Sequence, residues 1–292
     1  VSQRPEGLFV GLCTFDVVQL VDQLPGLNEK VTARRQTVAA GGPAANAAAA
    51  FAHLGGAATL LTSIGSHPLG VAAAADLEGL GVTVRDLSAE SAEPPSVSSI
   101  LVTAASGDRA VTSTNATGRR LRPPADLTAL LTGYDVVEFD GHHMDLALAV
   151  ARAARAAGRR TVLDGGSWKA GTEQLLPSID VAVCADSFRP PGTTGPEEVL
   201  RFLRDHHVPW RAVSQGGQPV VWEGPHGGGT VAVPAVPVVD TLGAGDVLHG
   251  TLAHQLCSQP ELTGPGFAGA LRAATEWASR ACTSFGTREW MK

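Results

Sequence analysis

The stretch VVDTLGAGDVLHGTLAHQL, residues 238–256, changes character in its middle. VPVVD, ending at Asp240, reads as a strand, LGAG as a turn, and DVLHGTLAHQL has the spacing of a long apolar helix. A helix start exposes unpaired N–H groups and the positive end of the macrodipole. The small residues Gly243, Ala244 and Gly245 let a phosphate approach that backbone closely. The expected result is an anion hole. Asp246, in the first turn, reads on its own as a dipole-compensating or capping acid. Beside a nest of three small residues it also reads as a base facing a phosphate acceptor.

Upstream, short apolar runs alternate with helical stretches: LFVGL (8–12), a helix over 43–55, ATLLTSIG (58–65), a helix over 68–81, DVVEFDG (135–141) and a helix over 145–158. TVLDGG (161–166), VAVCAD (181–186), a helix over 197–207 and RAVSQGG (211–217) continue the order. Repeated strand–helix–strand units imply right-handed crossovers and a mostly parallel sheet covered on both faces. VTARRQTVA (31–39) and the pair SVSSILVT and RAVTSTN, joined around Gly107-Asp108, break this rhythm and read as a small β lid over one end of the sheet. The alanine richness reads as compositional.

A chain of 292 residues accommodates one large α/β domain with a small appendage. With 44% hydrophobic and 17% charged residues, and no run of about 18 strongly apolar residues, neither disorder nor a membrane span fits, and a soluble protein is expected. The net charge of -6 argues against nucleic acid as a partner, although backbone amides can still bind a phosphorylated ligand. Cys13, Cys184, Cys257 and Cys282 form no C-x-x-C pair and read as single buried thiols of a reducing compartment. VSQRPEGLFVGLC shows no basic region followed by an apolar one, so the expected location is the cytoplasm.

In open α/β sheets ligands bind beyond the carboxyl ends of the strands. A second glycine-rich junction there is AAGGPAANAAAAFAHLG: Gly41 and Gly42 permit close approach of a ligand, and the Asn46 amide can donate to and accept from hydroxyls. The alternative is a tight turn with Pro43 near the first helical position and an Asn satisfied by a neighbour. Asp16, just past LFVGL, can accept two hydrogen bonds from a vicinal diol or cap a loop.

Together these features resemble the ribokinase or PfkB family of carbohydrate kinases over nearly the whole chain: Asp16, the GG-x-x-x-N stretch with Leu54 and Gly55, and D-T-x-G-A-G-D at Asp240 to Asp246. The resemblance implies a single ribokinase-like domain over 1–292, a three-layer αβα sandwich with a mostly parallel central sheet. A small β-sheet lid, from about 14–40 and 92–117, would be inserted in that core. It implies ATP-dependent phosphorylation of a hydroxyl of a sugar or sugar derivative, with Asp246 as general base and the Gly243, Ala244 and Gly245 amides stabilising the transferring phosphoryl group. Asp16, Gly41, Gly42 and Asn46 would hold the sugar, and Ser214, Gly216 and Gly217 would contact the nucleotide. ATP and Mg²⁺ are the implied cofactors. Some relatives complete a K⁺ site near CTSFGTREW (282–290), and in many relatives similar lids pair, which admits a homodimer.

Departures from the pattern qualify these implications. Where the family carries N-x-x-E, this chain has ADSFR, with Asp186 a substitute polar contact and Arg189 in the place of the acid. Asp164 and Asp240 are the other acid candidates near the phosphates. Lys169 can neutralise the triphosphate as a point charge or simply be solvated. His67 replaces the acid of a G-x-D-x-x-G segment. His142 and His143 can face the site, while His249 and His254 read as packing or surface residues; none has zinc-like spacing. The rival readings are a nucleoside kinase of the same fold, disfavoured by few aromatics, and a catalytically silent sugar or nucleotide sensor. A nicotinamide oxidoreductase lacks its G-x-G-x-x-G turn.

Overall fold

The strand β1 (Glu6–Val10) shows how the layers arise. Its side chains alternate, so Phe9 enters one apolar cluster with α-helical alanines while Leu8 and Val10 enter another. The computed structural model describes residues 4–292, so the first three residues of the 1–292 assignment and of the N-terminal stretch lie outside it. After β1 come β2 (Thr14–Val21), β3 (Arg35–Gly41), α1 (Pro43–His53), β4 (Ala57–Thr62), α2 (Pro68–Gly79), β5 (Val82–Asp86), β6 (Ser96–Thr103) and β7 (Arg109–Ser113). The second half runs α3 (Leu127–Leu130), β8 (Val136–Phe139), α4 (Met144–Ala156), β9 (Arg160–Gly165), α5 (Thr172–Leu175), β10 (Val181–Ala185) and α6 (Pro196–Asp205). It ends with β11 (Trp210–Gln215), β12 (Gln218–Gly224), β13 (Gly227–Val231), α7 (Ala244–Cys257) and α8 (Gly264–Ala281).

Nine strands form the central sheet in the order β13-β12-β11-β10-β9-β8-β1-β4-β5. The seven strands from β11 to β5 are parallel, and β12 and β13 add an antiparallel edge. α1, α2, α7 and α8 pack on one face, α4 and α6 on the other. A second sheet, β3-β2-β6-β7, stands apart from the first. All parallel strands therefore deliver their carboxyl ends to one edge, beside the second sheet.

Four expectations need correction. VPVVD is not a strand: Pro237 lacks an amide donor, and the segment is held instead by Val239 and Asp240 N–H groups donating to the Cys282 carbonyl. The alanines of α1 serve packing. Ala44 to Ala50, apart from Asn46, are fully buried, and a Cβ at Gly250 of α7 would lie 2.2 Å from the Ala47 carbonyl oxygen. Small side chains thus bring α1 and α7 into backbone contact. Of the thiols, Cys13 and Cys184 are buried but Cys257 and Cys282 are only half-buried; all four are free. Asp16 lies inside β2 rather than in a loop.

Candidate active site

The close α1–α7 crossing fixes the first pair of candidate side chains. Asn46, on α1, donates through Nδ2 to Asp246 Oδ2, on α7, at 2.7 Å. Its own Oδ1 accepts from Arg288 Nη1 at 2.9 Å, which sets the orientation of the amide. Arg288 Nη2 also donates to the Ala40 carbonyl at 2.7 Å, and Ala40 N–H donates to Asp76 at 3.0 Å. One arginine from the C-terminal segment thereby links the Asn46–Asp246 pair to the end of β3. There Gly41 lies against Asp16: a Cβ at position 41 would sit 1.9 Å from Asp16 Oδ2. Thr14 Oγ1 donates to the other carboxylate oxygen of Asp16 at 2.5 Å, and burial raises the Asp16 carboxyl above its ordinary range. Gly42, with φ 92°, precedes the helix that Pro43 begins.

Gly243 adopts a left-handed conformation (φ 75°) and caps α7. Helix geometry leaves the first-turn amides without intrahelical acceptors. Gly245 is exposed, with open space where a side chain would be. Burial, and then the Asp164 carboxylate, push the half-buried Asp246 carboxyl up to about 8. Asp240 anchors this turn: its oxygens accept from Leu242 N–H at 2.8 Å and from Gly286 N–H at 2.9 Å.

Beside the turn, a cavity of about 640 Å³ opens between the carboxyl ends of β8 and β9 and the second sheet. Asp140, His142, Asp164 and Lys169 line it from below, and Arg109 and Val111 of β7 from above. Asp140 organises its floor, accepting from Leu12, Ala44 and His142 N–H groups at 2.8, 3.2 and 2.8 Å. Lys169 Nζ donates to the carbonyls of Asp140 and Ser167 at 3.1 and 3.2 Å, so it is held at the cavity rather than loose in solvent.

Ser214, Gly216 and Gly217 occupy the end of β11 and the turn into β12, two strands beyond β9 on the same edge. Asp186 follows β10 and pairs with Arg189 at 2.8 Å, so its charge is already balanced. His67 fills a local role that an acid could also fill, accepting from Leu69 N–H at the start of α2.

Sequence reasoning missed Arg288, Arg109, Asp140 and Glu138, and it placed His249 among packing residues. Glu138 is wholly buried in β8 with both carboxyl oxygens unpartnered. Burial and the nearby Asp164, Asp140 and Asp246 hold it well above the ordinary carboxylate range. An acid in the all-apolar run VVEF was the available signal.

The model of the family described as pfkB family carbohydrate kinase matches residues 6–292. An ATP-dependent ribose-1-phosphate kinase from Halopiger xanaduensis is 33% identical over 159 residues, 54% of this chain and 53% of that protein; the alignment thus spans about half of each. Among solved structures, Arabidopsis thaliana ribokinase complexed with ribose and ATP superposes with TM-score 0.78 at 22% identity, over 99% of both chains. Giardia lamblia ribokinase gives 0.83 at 18% identity over 99% and 96%. Sinorhizobium meliloti adenosine kinase gives 0.81 at 19% over 98% and 96%. These structural likenesses establish a shared fold for sugar and nucleoside kinases alike.

Proposed function

The chain belongs to the pfkB family of carbohydrate kinases, and on that premise we propose that it transfers the γ-phosphoryl group of ATP to a hydroxyl of a sugar or sugar derivative. The observation that carries this reading is the Asn46–Asp246 pair at 2.7 Å beside the open Gly243–Gly245 helix start. Asp246 would take the hydroxyl proton, and the Gly243, Ala244 and Gly245 amides would stabilise charge on the phosphoryl group in flight. A carboxyl near 8 suits a base that must hold a proton during turnover and release it afterwards. Asp16, Gly41, Gly42 and Asn46 would hold the acceptor, while Ser214, Gly216 and Gly217 would contact the nucleotide.

Magnesium is typical of such kinases, but the acids expected to hold it do not fit that task. Asp240 is buried and already accepts from two amides, and Asp186 is paired with Arg189. Asp164 is engaged by His249. Among the described residues, no group of three or more His, Cys, Asp or Glu could hold a metal ion. The ion would therefore arrive on the ATP phosphates, and no step above passes through it. Potassium at the 282–290 loop is a further proposal, tested by replacing K⁺ with Na⁺ in the assay.

The acceptor reading is supported by a cavity lining that includes Arg109 and Lys169 but no Phe, Tyr or Trp. Cationic groups suit a sugar carrying its own phosphate, as ribose 1-phosphate does, better than an unsubstituted purine ring. The second sheet is proposed as a lid over this cavity, with pairing of two lids into a homodimer tested by sedimentation. Among the described residues no helix is long and apolar enough to cross a membrane; a cytoplasmic location is proposed from the free thiols. Coupled ADP formation with sugars, sugar phosphates and nucleosides tests the function. Nucleosides as the best acceptors would replace the sugar reading, and binding without turnover would favour a sensor.

A further inference from the structure

One turn into α7 beyond Asp246 lies His249, 4% exposed. Its Nδ1 is 2.8 Å from the Gly245 carbonyl oxygen and 3.3 Å from Asp164 Oδ2 in β9. Its Nε2 is 3.0 Å from the Val183 carbonyl oxygen in β10. Carbonyl oxygens only accept hydrogen bonds. An imidazole serving both must donate from both nitrogens, and the Asp164 carboxylate is then its counter-charge. The other charged or titratable groups around this pair are Glu138 and Asp140 from the β8 side, His142 and Lys169 at the cavity, Cys184 in β10 and Asp246 on α7 itself.

The Gly245 carbonyl belongs to the same peptide as the Asp246 N–H. Holding it fixes the peptide plane at the base of the anion nest. Val183 and Asp164 are paired residues of neighbouring strands, so the ring ties the helix start to the two strands that lead towards the nucleotide turn.

We propose that His249 is a positioning residue for phosphoryl transfer: a buried imidazolium, clamped between Gly245, Val183 and Asp164, that sets the base-bearing peptide of α7 against β9 and β10. The proposal rests on the kinase reading above for its kinetic consequence, but the clamp itself has an independent readout.

Three measurements test it. In ¹⁵N-histidine-labelled wild type, the His249 ring, assigned by its loss in His249→Phe or His249→Gln, shows two protonated nitrogens; a ring with one bare nitrogen overturns the clamp. His249→Phe fills the volume without either donor and lowers kcat about 100-fold, with both KM values within about threefold, as expected when reacting groups are misplaced by about an ångström. His249→Gln, which keeps one amide donor, recovers part of the lost kcat and covers the case in which the phenylalanine variant does not fold. Folded variants with kcat within threefold of wild type would show that His249 merely packs. A wild type without acceptor-dependent ADP formation would overturn the kinetic role and the kinase reading together, while two ring N–H signals would still establish the clamp.

Discussion

Asp246→Asn preserves the shape of the carboxyl group and removes its capacity to ionise. In the folded protein that group is pushed from 3.8 up to about 8 by burial and by Asp164. A carboxyl raised in this way contributes stability that is fully present below 3.8 and is lost as pH climbs through about 8. Between those limits the folded protein holds a proton that the unfolded chain has released. Wild-type stability therefore falls across the window by up to about 1.4 kcal/mol per pH unit from this group. Asp246 keeps partial contact with solvent, and screening narrows the pH window over which this slope applies without lowering it. The amide variant lacks it. Its Tm should gain on wild type by about 1–3 °C per unit from about pH 5 to about pH 8, read by thermal unfolding in matched buffers. At the same time ADP formation should fall at least about 1000-fold, because an amide cannot take the acceptor proton, while acceptor affinity by calorimetry changes little. Turnover within tenfold of wild type would refute the base assignment. Parallel pH dependences of Tm would refute the raised carboxyl.

The remaining expectations use other parts of the site. Gly41→Ala drives a methyl group into Asp16 and should raise the acceptor KM about tenfold or more with the ATP KM unchanged, measured by varying each substrate. Glu138→Gln mimics the protonated acid that burial and the neighbouring carboxylates favour; stability at mildly acidic pH should stay within about 1 kcal/mol by denaturant titration, and a large loss would mean the carboxyl is ionised. Saturating acceptor should slow hydrogen exchange in β3, β6 and β7 if the second sheet closes as a lid, and unchanged exchange there would count against closure.

The alternation of apolar runs and helices marked six of the seven parallel strands because those, largely buried, read as short apolar runs, whereas β5, half-exposed at the sheet edge, went unread. β12 and β13 escaped that reading as an edge hairpin rich in glycine, and α8 escaped because it begins Gly264-Pro265-Gly266. The junctions at Gly41 to Asn46 and Gly243 to Asp246 were legible, since a glycine beside a helix start leaves a local signature. Arg288 left none: its role comes from a fold that returns the C-terminal segment to α1, 242 residues away in sequence. His249 was misread for the same reason, because its partners Val183 and Asp164 lie on two other elements. Alanine in α1 looked like bias and proved to be the condition for the helix contact that brings Asn46 to Asp246.

Acceptor-dependent ADP formation by the purified protein, with ATP and Mg²⁺ and a panel of ribose 1-phosphate, free sugars and nucleosides, decides whether the chain is a sugar kinase. At least one sugar or sugar phosphate should give stoichiometric ADP and a phosphorylated sugar product. Tight binding of such a compound with no ADP above the acceptor-free background would contradict it.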